Sequence, residues 1–517
     1  DFYALGGDSI KAVQVAAMMY KLGYKIDVRD VLRHGTIAGI ARTAKERELV
    51  ADQSLLTGSV PLTPIQREFF ESSPVAPHHY NQALVLFSPD GLDEAAVGAV
   101  FAKLTEHHDA LRTTFVPAAD GVVQTIGEAG HGFSLEVFEM DGLDQPAARR
   151  RAVGAAAQAG FDLARGPLVK LVLFRAREGN HLLIVIHHLL VDGISWRILL
   201  EDIDALLAQR RQGACLSLPL KTDAYKTWAE HLRRHASDKP VLQERTYWQG
   251  VSAAIAAGRR QEGEAGDGCV REGESLAFAL DANETQLLLK RVNAAFNTEI
   301  NDILLAALGL GVRVGFGWPQ VAVAVEGHGR EPLDDGITVS RTVGWFTSIY
   351  PVVLPLTGRQ ELGAYLTATK ETLRRVPGKG IGYGILKHLT GGEHTGQIDF
   401  AARPAIQFNY LGQFDSDFNY ASFKVDTSEV SNTISPDRPR RYAIDVMGAI
   451  VEKQLQIDIV FSPRQYQRDT LEAFRDGFRA ALREIIAYCS QREEKQATPS
   501  DFDYKGLSVE ELNTIFD

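Results

Sequence analysis

Cysteine is scarce in this chain of 517 residues: Cys215, Cys269 and Cys489 lie far apart and form no CxxC pair. Alone they can build neither a disulfide framework nor a thiolate zinc site, and so small a count suits a reducing compartment. Long apolar runs are missing too. The strongest, Leu182–Ile186, runs straight into His187 and His188, far short of the ~20 residues a spanning helix needs. Positive charge is outweighed, with Lys+Arg 55 against Asp+Glu 66 leaving −11. No overall basic field is therefore available to hold a polyanion. No secretory signal opens the chain, which starts Asp-Phe-Tyr instead of Met. These absences predict a monomeric, cytoplasmic protein with no membrane or nucleic-acid partner, of which this chain is a piece.

What is present is a folded composition, 45% apolar and 23% charged. The length asks for about three to four units at ~150 residues each. Ser9 precedes Ile10, Val13, Ala16, Ala17 and Leu22, a helical stripe ending at Gly23. A short apolar stretch, Ile26–Leu32, follows. A third helix is predicted over Thr36–Leu49, capped by Thr36 with Ile37 and Ile40 on its apolar face. Residues 51–60 read as a linker. Thr63-Pro64-Ile65-Gln66 is a capping box with proline at the first helical position. Strands are predicted at Leu84–Phe87, Leu168–Phe174 and Leu182–Ile186, and helices at Ala95–His107, Ala147–Ala159 and Ser195–Arg211. Residues 256–275 are Gly/Glu-rich and predict a surface loop. A second set runs from Leu276 to Cys489, with strands Val321–Val325 and Val352–Leu356 and helix Leu362–Val376. Strands mixed with long helices give an α/β class. The polar tail from Gln491 ends in a short amphipathic stretch, Leu507–Phe516.

Three places carry residues suited to chemistry. In Leu5-Gly6-Gly7-Asp8-Ser9, the serine sits at a helix N-terminus, where peptide N–H groups and the dipole favour an anion. It is either a helix cap or the anchor of a phosphodiester. In His187-His188-Leu189-Leu190-Val191-Asp192-Gly193, an apolar strand delivers two histidines at its end. Neutral imidazole there can act as a general base. The alternatives are a metal, for which no third ligand is evident, and burial with hydrogen bonds, which suits His187 best. Glu326 follows the apolar Val321–Val325, where partial burial would raise its pKa; the alternative is an ion pair with Arg330. Gly378, Gly380, Gly382 and Gly384 follow a helix instead of a strand, which excludes a dinucleotide fingerprint and predicts a flexible active-site loop.

Asp1–Ser9 with Ile10-Lys11-Ala12 resembles the pantetheinylation motif of peptidyl carrier domains in nonribosomal peptide synthetases. The resemblance implies 4′-phosphopantetheine on Ser9, in a carrier spanning 1–50 whose usual first helix is missing before Asp1. His187–Gly193 resembles the HHxxxDG signature of the condensation superfamily. That implies a channel-facing His188 and a structural Asp192. Glu106–Arg112 resembles a further motif of the superfamily, with a structural role. Ile194-Ser195-Trp196, Val325–Glu331, Val343–Pro351, Arg375-Val376-Pro377 with its glycines, and Phe408–Gly412 are similar to the epimerisation members.

The implied architecture is α/β: a small, partly truncated all-α carrier, then a chloramphenicol-acetyltransferase-like, V-shaped pseudodimer over 61–490. Its lobes would cover about 61–255 and 276–490. The implied activity is conversion of an L-aminoacyl or L-peptidyl thioester to the D form by Cα proton removal and return. His188 and Glu326 would meet across the channel as acid/base groups. His187, Asp192, Gly193, Trp345, Tyr350, Tyr383, Asn409 and Tyr410 would support them, without metal. Backbone N–H near Gly193, or Asn409 and Tyr410, would serve the enolate oxygen. The rival activities are peptide-bond formation by a condensation domain and an inactive docking domain. Implied partners are an upstream adenylation domain and a downstream condensation domain of a partner synthetase, the latter reached through the tail 491–517.

Overall fold

The computed structural model describes residues 2–3, 5–46, 51–72, 75–262, 268–331, 333–334, 336–356, 361–413, 420–426, 431–492 and 495–501. The N-terminal segment forms helices α1 (Ser9–Lys21), α2 (Val28–His34) and α3 (Ile37–Thr43). Asp8, rather than Ser9, caps α1, its carboxylate accepting from the Lys11 N–H at 2.8 Å. Ser9 is the first helical residue, outside the cap. Val13, Ala16 and Ala17 are buried as the stripe predicts, whereas Leu22 is exposed. The expected third helix stops at Thr43, because Lys45–Glu46 instead pairs with Tyr24–Lys25 in a two-stranded ladder. The segment is therefore not purely helical, and Ile37, expected to be apolar-facing, is exposed. Among the described residues its own buried cluster is Ala12, Ala16, Ile26 and Val31. A unit this small gains from docking. Val13 joins the core of the larger domain, and the Tyr20 hydroxyl donates to the Lys221 carbonyl at 3.0 Å.

The larger domain opens with a three-residue strand, Gly58–Val60, within the stretch expected as linker. Helix α4 (Pro64–Glu71) follows, and the Gln66 side chain accepts from the Thr63 N–H at 3.1 Å, as the capping box predicts. Helices α5 (Glu94–His107), α6 (Pro146–Ala159), α7 (Gly193–Arg211) and α8 (Tyr225–His235) complete the first half with strands β1 (Asn81–Ser88), β2 (Ser134–Glu139), β3 (Val169–Arg175) and β4 (Asn180–His187). The second half supplies β5 (Glu274–Ala279), β6 (Gln320–Gly327), β7 (Ser348–Pro355), β8 (Ile406–Gln413), β9 (Lys424–Asp426), β10 (Ile444–Val451) and β11 (Gln454–Phe461).

Of the four described sheets, the larger two have the orders β9-β1-β4-β3-β2 and β5-β11-β10-β8-β6-β7. Strand β4 lies inside the first sheet, and its run from Leu182 to His187 is buried throughout. An interior strand covered on both faces reads as a continuous apolar run, which is why this segment is so conspicuous in the sequence. Strand β9 comes from the second half but pairs with β1, Lys424 opposite Phe87. The halves are thereby stitched together. The segment expected as a loop at 256–275 is in part helix, since Arg245–Glu262 is one continuous helix. Its alanine-rich stretch, with two alanines on each side of Ile255, favours that state.

The glycine-rich stretch is likewise not a loop: Pro377–Gly380 is a tight turn and Ile381–His388 a helix. Its glycines answer to packing. A Cβ on Gly380 would lie 2.0 Å from the Tyr350 ring, and one on Gly382 would lie 2.0 Å from the Glu244 carboxylate. The tail is anchored as far as Asp501, which pairs at 2.7 Å with the buried Lys370. The expected helix Leu507–Phe516 lies outside the described residues. No described helix is long and apolar enough to cross a membrane.

Candidate active site

The end of β4, the start of α7, the end of β6 and the start of α1 converge on one cavity of about 300 Å³. Ser9, His188, Asp192, Gly193, Glu326, Tyr350, Asn409 and Tyr410 all line it. His188 and Glu326 thus face one space from opposite halves of the chain. Three other expected residues do not line it. His187 is fully buried, its Nε2 on the Pro77 carbonyl at 2.8 Å and its Nδ1 accepting from the Leu189 N–H at 3.3 Å. Burial pushes its pKa down to about 3, so it is a neutral structural strut. Trp345 is buried behind His188, ring centroids 4.6 Å apart. Tyr383 lines a separate cavity of about 60 Å³.

His188 is held on three sides. Its Nδ1 lies 2.8 Å from the Val191 carbonyl, which can only accept, so the proton sits on Nδ1 and Nε2 carries the lone pair. The Gln82 amide donates to that Nε2 at 3.0 Å, and Gln82 Oε1 accepts from the Trp196 indole N–H at 2.8 Å. Trp196 therefore fixes which end of the amide faces the histidine. Tyr80 stacks on the ring at 5.1 Å. Burial lowers the His188 pKa, keeping the imidazole neutral. Gln82 and Tyr80 belong to no motif that the sequence displays. The one available signal is a polar pair, Asn81-Gln82, opening an otherwise apolar strand.

Asp192 shapes the turn. It caps α7 by accepting from the Ser195 N–H at 2.7 Å, and takes Arg330 at 2.9 and 3.2 Å and the Phe346 N–H at 3.1 Å. Arg330 and Phe346 belong to the second half, and the guanidinium lies 4.0 Å over the Phe346 ring. The carboxylate thus ties the two halves together beside His188. The expected alternative for Glu326, an ion pair with Arg330, is excluded because Arg330 is committed to Asp192.

Glu326 instead accepts from the amides of Gln407 and Asn409, the latter at 2.7 Å. Both project from β8, which runs parallel to β6 with Val325 opposite Phe408. Residues two apart on a strand share a face, so the two amides flank one carboxylate. Burial raises its pKa to about 7, with Asp445 adding to the rise and Arg441 opposing it. Asn409 thus holds Glu326 from the wall of the same cavity. Neither His187 nor His188 joins a metal-ligand cluster among the described residues.

The segment that carries Ser9 at a helix start is docked on an α/β domain, and both line one cavity. Comparison with known proteins finds a match for each part. A family model described as phosphopantetheine attachment site matches residues 1–44, and one described as condensation domain matches 57–508. The chain belongs to the condensation-domain family and is a fragment of a nonribosomal peptide synthetase.

It is 39% identical to tyrocidine synthase 1 of Brevibacillus parabrevis, over all of this chain and 48% of that protein. It is 36% identical to bacitracin synthase 2 of Bacillus licheniformis, over all of this chain and 20% of that protein. The chain thus spans half or less of these relatives. Among solved structures, the epimerization domain from the third module of tyrocidine synthetase B is similar at 36% identity. The TM-score is 0.80, covering 86% of this chain and 100% of that one. The first condensation domain of the CDA synthetase, at 15% identity and a TM-score of 0.61, shares the fold.

Proposed function

We propose that this chain epimerises an aminoacyl or peptidyl thioester carried on Ser9, exchanging the Cα proton between its two faces. The observation that carries the reading is the shared cavity, where a neutral His188 and a Glu326 poised near pH 7 face one space from opposite halves. Inversion needs access to both faces of a planar carbanion, and two acid/base groups on separate walls supply it. The likeness to a solved epimerization domain supports the same choice.

The residues present fit a phosphopantetheine arm. Ser9 stands at the first position of a 13-residue helix, where the dipole favours a phosphate, and it lines the cavity that Arg197 and Lys379 also line. When bound, the arm supplies a thioester, whose carbonyl acidifies the neighbouring Cα–H. Everything else falls to the chain. Glu326 takes or returns a proton near neutrality, because its carboxylate and acid forms are of similar energy there. His188, with Nε2 unprotonated, takes or returns the proton on the other wall. The N-terminus of α7 at Gly193 lines the cavity and favours negative charge gathering on the substrate carbonyl oxygen. An adenylation domain would supply the substrate. A condensation domain would receive the product, the tail beyond Asp501 being the handover segment.

The test loads the chain with an L-aminoacyl pantetheine arm, using a phosphopantetheinyl transferase, in D₂O. Chiral analysis of the released residue should show L and D forms together, with deuterium at Cα. Amide formation with a second loaded carrier and no deuterium uptake would establish the condensation reading instead. Neither reaction would establish the docking reading.

A further inference from the structure

We propose that His231, His235 and Asp334 form a binding site for a divalent transition-metal ion, one that clamps the end of α8 to the chain segment leaving β6. The two histidines are four residues apart on α8, so they share a helix face. Their rings lie 4.2 Å apart. Asp334 reaches them from the other half of the chain, its Oδ2 3.1 Å from His235 Nε2 and its Oδ1 3.9 Å from His231 Nε2. One ligand atom from each residue lies within 4.8 Å of the other two. Tetrahedral N/O ligands of zinc stand about 3.3 Å apart, given bonds of about 2.0–2.1 Å. Small side-chain rotations therefore close the site.

Two features go beyond the proximity of three polar groups. His235 Nδ1 sits 2.8 Å from the His231 carbonyl, so Nδ1 carries a proton and, in the neutral ring, Nε2 offers a lone pair. A ligating histidine whose other nitrogen donates to a backbone carbonyl is the usual outer support of a metal site. In addition, His231 is 3% exposed, yet its Nε2 has no hydrogen-bond partner. A plain ion pair between His235 and Asp334 explains the 3.1 Å contact but leaves that buried nitrogen unanswered, which is costly. A metal ion satisfies all three groups. Asp238, whose Oδ2 is 3.7 Å from His235 Nε2, or a water molecule, would complete four-coordination. Two imidazoles and a carboxylate select zinc, cobalt or nickel over calcium or magnesium.

The site lies away from the Ser9 cavity, and its consequence is mechanical. The start of α8 is already tied to the same segment by two hydrogen bonds. The Thr338 N–H donates to Asp223 Oδ2 at 2.7 Å, and the Asp223 N–H to the Thr338 carbonyl at 2.9 Å. A metal at His231, His235 and Asp334 closes the other end, fixing the stretch that begins at Glu326 and carries Arg330.

The test uses the full, tag-free chain stripped with a chelator and titrated with Zn²⁺ alone, then with Co²⁺ alone. The expected result is one ion per chain by calorimetry, visible Co²⁺ bands of a tetrahedral N/O site, and thermal stabilisation by Zn²⁺. His231 is buried, so the variants are H235A and D334A, whose wild-type side chains reach solvent. Each removes a ligand, so each should weaken binding by more than the roughly 10–100-fold typical of losing an outer support, and should remove the Zn²⁺-dependent shift in Tm. Absence of binding at about 100 µM Zn²⁺, or binding that both variants leave unchanged, would overturn the proposal. The readout does not involve turnover, so it stands or falls separately from the epimerisation reading.

Discussion

His107-His108 and His187-His188 each stand at the end of a regular element, and each pair is followed by an aspartate that a buried arginine holds. At the first pair neither histidine nor the aspartate lines the cavity of His188 and Glu326. His108 is buried against Asp202 at 2.9 Å, Asp202 also binds Arg341 at 2.6 Å, and burial pushes His107 down to about 3. Asp109 takes its arginine from its own turn, Arg112, at 2.7 Å. At the second pair His187 is buried in the same manner, but the aspartate takes Arg330 from the far half of the chain. That tie crosses the interface between the halves beside an open cavity, and His188 faces the cavity. Both neighbourhoods are tied across the halves, the first by Arg341 on Asp202 and the second by Arg330 on Asp192, so what distinguishes His188 is that it lines the cavity that Glu326 also lines.

The largest expected effect tests this difference directly. H188A and E326Q should each lower the rate of inversion by about 10²–10⁴ while the chain stays folded. H108A should leave the rate per folded molecule unchanged. An H108A variant that is fully folded yet as slow as H188A would break the comparison.

Stability should divide the pairs the other way. Removing a buried hydrogen bond to a charged group costs about 1.5–3 kcal/mol. H108A, which removes the 2.9 Å hydrogen bond to Asp202, should lose about that much, read from urea midpoints. H188A lines a cavity and should cost less. Equal losses would mean that His188 is as structural as His108.

Much of this is legible in the sequence because period and composition carry it. Interior strand β4 announces itself as an apolar run, and α4 announces its start through Thr63 and Gln66. The cavity residues His188, Glu326 and Ser9 come from motif strings. What escapes depends on long-range partners that no local pattern encodes. Gln82 acts on His188 only because β1 pairs with β4. Gln407 and Asn409 flank Glu326 only because β8 runs beside β6. The glycine-rich stretch looks like a flexible loop because the reason for Gly380 and Gly382 lies in the Tyr350 ring and the Glu244 carboxylate, remote in the chain. His231 and His235 gain interest only once the fold brings Asp334 to them.

A smaller effect concerns pH and the Glu326 wall. Its folded pKa, about 7, is raised above the ordinary carboxylate value of 4.5. Stability from this group is therefore complete below pH 4.5 and is lost as pH rises through 7, where the fold must hold a buried anion. E326Q does not titrate. Between about pH 5 and 8 its Tm should rise relative to wild type by roughly 2–4 °C. Asp445, raised to about 6, has the same sign but is present in both proteins, so the difference isolates Glu326. Parallel curves would mean that the carboxylate is ionised in the fold at all these pH values.

The smallest effect sharpens the His188 wall. Gln82 touches the imidazole on Nε2, the nitrogen that must exchange a proton, and Trp196 prevents its amide from flipping. It is a positioning residue. One neutral hydrogen bond is worth about 0.5–1.5 kcal/mol, so Q82A should slow inversion only about 2–13-fold. The informative readout is the pH profile. A donor on the Nε2 lone pair stabilises neutral imidazole, so its removal should raise the His188 pKa and move the acid limb of the rate profile upward. A rate loss with an unmoved limb would reduce Gln82 to packing. An upward shift would show that the polar start of β1 sets the proton affinity of His188, a control that His108, paired with a carboxylate, lacks.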